Sequence, residues 1–162
     1  MRFFYDTEFV QARLGVPLVL VSIGVVAEDG REYFACNDEF EPTQADAWVR
    51  GHVLPKLPPR PGPAWKAPGL LAEEIRGFFG AAPPELWGYC AAYDHVLLTQ
   101  LLGGFDRWPE GWPIYTRDIR QWQEALGIKS IPVAWPDEHD ALADARWCLE
   151  AWKWLNSNMQ KC

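Results

Sequence analysis

The ten residues from Leu18 to Ala27, LVLVSIGVVA, are apolar on both alternating faces. A strand of that kind must be covered on each side, so the sheet that holds it needs helices on both faces, and the chain belongs to the α/β class. Residues 2–9, RFFYDTEF, alternate and are rich in aromatics, which predicts a first strand. Asp29-Gly30 and then REYFAC at 31–36 predict an antiparallel hairpin, so the chain opens with three strands in a row.

Beyond that point helices alternate with short strands. The pattern predicts helices over 44–54, 69–80, 94–102, 119–126 and 140–155, with short strands at 86–89 and 113–118. In the last helix Ala141, Ala145, Cys148, Leu149, Trp152 and Leu155 fall on one stripe. Residues 55–68 hold six prolines and read as an extended surface loop. The expectation is a mixed five-stranded sheet flanked by helices, with residues 1–162 forming one domain.

Fifteen Lys and Arg stand against 22 Asp and Glu, a net charge of −7, which argues against nucleic-acid binding through a broad basic surface. An acidic chain can still process nucleic acid if metal ions supply the local positive charge. No apolar run is long enough to span a bilayer, and Asp6 interrupts any secretory signal, so a soluble cytoplasmic protein is expected, with no membrane partner. Cys36, Cys90, Cys148 and Cys162 are widely and irregularly spaced, which favours reduced thiols. The ten tryptophans read mainly as packing, with base stacking for one or two.

The chemistry concentrates in a few acidic positions. Asp6 and Glu8 are two apart on a strand, so both project from one face while Thr7 points away. Two neighbouring carboxylates repel unless a hard cation sits between them. Asp94 opens a helix just after a strand, where open α/β sheets gather ligand groups. Asp144 lies one turn inside the last helix between Ala143 and Ala145, and a carboxylate near an apolar stripe needs a partner or a metal. His139, just ahead of that helix, could take a proton from an attacking water. The serines form no G-x-S-x-G elbow, and neither a phosphate loop nor zinc spacing of Cys and His is found.

Taken together, Asp6-Thr7-Glu8, Tyr93-Asp94 and His139 through Ala145 (HDALADA) follow the motif order of the histidine-containing branch of the DEDD exonuclease superfamily, which this chain resembles. The resemblance implies an RNase H-like fold of the kind seen in RNase T and oligoribonuclease. FYDTEF, SIGVVAEDGREY at 22–33, WVRGHVLPKLP at 48–58, AYDH and HDALADAR look in particular like the small actinobacterial 3'-5' exoribonucleases described as polyadenylate-specific. By resemblance, two divalent cations, Mg2+ or Mn2+, are held by Asp6 between them, by Glu8 and Asp144 at the first and by Asp94 at the second. His139 is then the general base, and Thr7, Phe9 and Tyr93 contact the terminal nucleotide. The implied substrate is single-stranded RNA or a 3' overhang, the product nucleoside 5'-monophosphates, and the assembly a homodimer. A DNA exonuclease of the same superfamily and a catalytically silent RNA-binding protein on this fold are the alternatives. Many superfamily members carry Asn four residues before the second-motif Asp, and Cys90 stands there in this chain. Arg146, Arg117 and Lys56 read as exposed solubilising charge rather than phosphate contacts.

Overall fold

The computed structural model describes residues 1–11, 17–135 and 137–159. Its strands are β1 (Arg2–Val10), β2 (Val19–Ala27), β3 (Glu32–Asn37), β4 (Trp65–Lys66), β5 (Glu85–Gly88) and β6 (Arg117–Asp118). Its α-helices are α1 (Ala47–His52), α2 (Pro68–Phe79), α3 (Ala92–Leu101), α4 (Ile119–Ala125) and α5 (Ala141–Met159). The sheet order is β4-β3-β2-β1-β5-β6, with β1, β2 and β3 antiparallel and the β1/β5, β5/β6 and β3/β4 pairs parallel. This is the expected mixed α/β sheet of RNase H-like type.

The sheet has six strands rather than five. The added one, β4, lies inside the proline-rich segment, where Trp65 and Lys66 pair with Cys36 and Asn37. Two residues flanked by prolines carry no alternation for a sequence reading to detect. Similarly, β6 contracts to Arg117–Asp118, because the short β5 offers it only Trp87 and Gly88 as partners. The helix expected over 44–54 divides into 3-10 turns at Pro42–Gln44 and Leu54–Lys56 around α1. The break arises because Asp46 accepts the Val49 N–H at 2.9 Å and starts a new helix there.

β2 is buried along almost its whole length, as its doubly apolar pattern demands. On one face Phe3, Tyr5, Ile23 and Val25 pack under α2 and α3 through Leu71, Ile75, Leu97 and Leu98. On the other, Phe4 and Val26 pack under α5 through Cys148, Ala151 and Leu155. A smaller cluster of Val10, Val21, Phe40, Val49 and Val53 seats α1 at the sheet end. Among the described residues Cys36, Cys90 and Cys148 are free thiols, and Cys162 lies outside those residues. No described helix is long and apolar enough to cross a membrane.

Gly24 sets where α5 begins. It pairs with Asp6 across β1 and β2, and a Cβ added there would overlap the Ala141 carbonyl. The missing side chain lets the first turn of α5 rest on the sheet directly beside Asp6. Gly24→Ala should therefore cost roughly 1–3 kcal/mol in urea unfolding, because backbone on both sides has to move. Gly77→Ala, in an open position on α2, should instead stabilise by about 0.5–1 kcal/mol.

Candidate active site

β1 outruns its parallel neighbour. Pairing with β5 ends at Phe4 opposite Trp87, while β1 continues to Val10. The Thr7 N–H on that side has no strand to bind, and the Asp94 carboxylate takes it: Oδ1 accepts the N–H at 2.8 Å and the Thr7 hydroxyl at 2.5 Å. Asp94 reaches this place by a sharp turn from β5 into α3. Gly88 lies where a Cβ would strike that of Ala91, Cys90 adopts a left-handed φ of 54°, and the Ala91 N–H is held by Asp118 Oδ2 at 2.8 Å. Thus Asp94 is no cap of its own helix; it ends the β1 ladder and stands beside Asp6 and Glu8. A shift in the β1/β2 register falls immediately after Glu8, at the edge of the cavity.

Asp144 arrives from the opposite face of the sheet. Asp140 caps α5 by accepting from Leu142 and Ala143 N–H groups at 3.1 and 2.9 Å. One turn later, Asp144 Oδ2 accepts the His139 N–H at 2.8 Å and Oδ1 the Trp135 indole N–H at 2.5 Å. His139 has φ of 69° and lies off the helix, as its position predicts. Its ring meets the edge of Trp48 at 4.7 Å.

Asp6, Glu8, Asp94, His139 and Asp144 all line one cavity of about 500 Å³, together with Thr7, Phe9 and Tyr93. Every residue singled out from the sequence therefore faces the same space. Both Thr7 donors are spent on Asp94, whereas the Phe9 and Tyr93 rings, 5.5 Å apart, form an aromatic wall. Among the described residues, Glu8, His139 and Asp144 bring one ligand atom each within 4.8 Å of the others. Asp6 and Asp94 share the cavity but stand outside that trio.

Burial of the acids dominates the electrostatics, and their crowding adds to it. Burial, then Asp94, Glu8 and Asp144, push the Asp6 carboxyl well above its ordinary range. Burial, then Asp144, Asp94 and Asp140, raise Glu8 to about 8 against the opposing charge of Lys56. Asp94 is raised to about 6 by burial, although its bonds from Thr7 pull the other way. Burial also raises Asp144, against the opposing bonds from Trp135 and His139. A mouth with this charge and this set of hard oxygen donors suits a divalent cation.

Sequence reading missed two contributors. Trp135 and Trp48 line the cavity, and nothing in their spacing separates them from the other tryptophans. Lys56 was read with Arg117 and Arg146 as solvated charge. All three are exposed, as that reading expects: Arg117 pairs with Glu85, Arg146 with Glu32, and the Lys56 ammonium donates to the Glu138 carbonyl beside His139.

The raised carboxyls set a pH dependence. Glu8 and Asp94 hold protons more tightly folded than unfolded, so with EDTA present the folded state loses stability as pH rises from about 5 to about 8.5. The thermal midpoint should fall over that window, and a divalent cation should flatten the decline by replacing the protons.

No family model matches the chain. Two curated proteins do: the 3'-5' exoribonucleases Rv2179c and MT2234.1 from Mycobacterium tuberculosis strains H37Rv and CDC 1551, each 45% identical over 160 residues, covering 97% of this chain and 94% of theirs. Among solved structures, E. coli exonuclease I in complex with a dT13 oligonucleotide superposes with a TM-score of 0.68 at 12% identity over 99% of the chain. Exonuclease I from Methylocaldum szegediense does so with 0.67 at 14% over 99%. The chain spans about two fifths of the length of those exonuclease I structures, 42% and 41%. At such identities they show a shared fold, whereas the mycobacterial relatives match from end to end at a level that fixes kinship. The chain belongs to their family, the 3'-5' exoribonucleases.

Proposed function

We propose that residues 1–162 act as one domain that removes nucleotides from the 3' end of single-stranded RNA, or of a 3' overhang, and releases nucleoside 5'-monophosphates. The observation that carries this reading is the meeting of four carboxylates, Asp6, Glu8, Asp94 and Asp144, with His139 in one cavity. The choice of RNA rests on the names of the 45%-identical relatives. The cavity of about 500 Å³ lies within the about 300–1,000 Å³ typical of small-ligand sites and has room for a terminal nucleotide.

In this reading Asp6, Glu8, Asp94 and Asp144 hold two cations, Mg2+ or Mn2+. When bound, the cations supply the charge that activates water and stabilises the departing oxygen. His139 accepts the proton of the attacking water at a ring nitrogen, the new bond forms at phosphorus, and the bond to the 3' oxygen breaks. Phe9 and Tyr93 offer a stacking wall for the terminal base. Thr7 holds Asp94 with both its donors and lines the space that takes the terminal nucleotide in this reading. The buried thiols Cys36 and Cys148 suit a reducing cytoplasm. The family resemblance carries the proposed homodimer, for which light scattering should give twice the chain mass.

A gel time course on 5'-labelled oligoadenylate, beside matched DNA, tests the reading. A ladder shortening from the 3' end with Mg2+ or Mn2+, absent with EDTA and in Asp6→Ala, is the expected result. Shortening of DNA alone would move the assignment to a DNA exonuclease, and an unchanged band on both strands would favour a silent binding protein. His139→Ala should keep Mn2+ binding yet slow turnover by about 10²–10⁴-fold, the range of a lost general base.

A further inference from the structure

Asp144 is tied through both carboxylate oxygens to the segment ahead of its own helix. One tie is backbone, the His139 N–H on Oδ2; the other is a side chain, the Trp135 indole N–H on Oδ1. Trp135 is itself closely held. Its ring stacks on Trp147 at 4.1 Å and 11°, and Tyr89 sets its ring nearly perpendicular to both, 5.5 Å from Trp135 and 5.0 Å from Trp147. Trp147 in turn donates its indole N–H to the Val133 carbonyl at 3.2 Å. A ring confined in this way can aim its N–H along one direction only.

The donor type also matters. Lys or Arg in this place would pair with Asp144 and cancel the charge that a cation requires. An indole N–H orients the carboxylate and leaves its charge in place, and an Asp144 oxygen still lies within 4.8 Å of a Glu8 oxygen at the cavity. Because the same carboxylate holds the His139 backbone, its orientation bears on the cation and on the imidazole together.

We infer that Trp135 is a positioning residue: its indole N–H, aimed by the stack on Trp147, fixes the Asp144 carboxylate for divalent-cation binding while Asp144 holds His139 at the same mouth. This inference rests on the metal-dependent reading given above.

Calorimetric titration of Mn2+ into the full chain, compared for wild type, Trp135→Phe and Trp147→Phe, tests it. Phe at 135 keeps a stacking ring and removes the N–H. Its Mn2+ dissociation constant should rise about tenfold, the lower end of what loss of an outer hydrogen-bond partner does to a metal site. At fixed, subsaturating Mn2+ its kcat should fall while KM for oligoadenylate stays within about twofold, and added Mn2+ should restore much of the loss. Trp147→Phe, which keeps the Trp135 N–H, should bind Mn2+ within about twofold of wild type.

Unchanged Mn2+ affinity in Trp135→Phe overturns the inference, and so does an equal loss in both variants. A raised KM with normal Mn2+ affinity also overturns it, by making Trp135 a base contact. Wild type that binds no Mn2+ overturns the metal reading and this inference with it. A measurement on unaltered protein covers the case in which Trp135→Phe fails to fold: the Trp135 indole N–H resonance should move on addition of Mg2+, and a stationary resonance overturns the inference.

Discussion

Four carboxylates facing one partly enclosed space form the arrangement to which the rest of the molecule is fitted. Like charges brought together away from water repel strongly, and the folded chain meets that cost by keeping protons on Asp6 and Glu8 well above the usual acidic range. Hydrogen bonds on the other two acids work in the opposite sense: Thr7 on Asp94, Trp135 and the His139 backbone on Asp144. An arrangement that costs stability without a cation is what a cation site requires, since the repulsion becomes attraction once the cation binds.

Three backbone features bring those acids together from separate parts of the chain. β1 extends beyond β5 and leaves an N–H for Asp94 to take. Gly24 lets α5 begin against the sheet next to Asp6. Gly88 and the left-handed Cys90 bend the chain from β5 into α3 tightly enough to bring Asp94 round the strand end. At this turn, with Cys90 in the left-handed region, Asp118 holds the backbone through the Ala91 N–H.

Much of this was legible in the sequence because its signals are periodic or local. The doubly apolar run at 18–27 demanded a covered central strand, and β2 is that strand. The two-residue spacing of Asp6 and Glu8 placed them on one face, and the apolar stripe of 140–155 located α5 and with it Asp144. What escaped depends on contacts between distant residues. β4 exists only because β3 offers two pairing positions. The tryptophans illustrate the same limit. Composition predicted packing for most of them, as the cluster under α5 shows, but could not pick out Trp135, whose N–H faces a carboxylate instead of the core.

The central claim is that the acids act as a pair of cation sites with His139 left free for proton transfer. Anomalous diffraction from crystals soaked in Mn2+ tests it most directly. The account predicts two peaks about 3.5–4 Å apart among Asp6, Glu8, Asp94 and Asp144, with the His139 imidazole bound to neither. A single peak held by Glu8, His139 and Asp144, the trio whose donor atoms already lie within 4.8 Å, would contradict it and make His139 a ligand rather than a base.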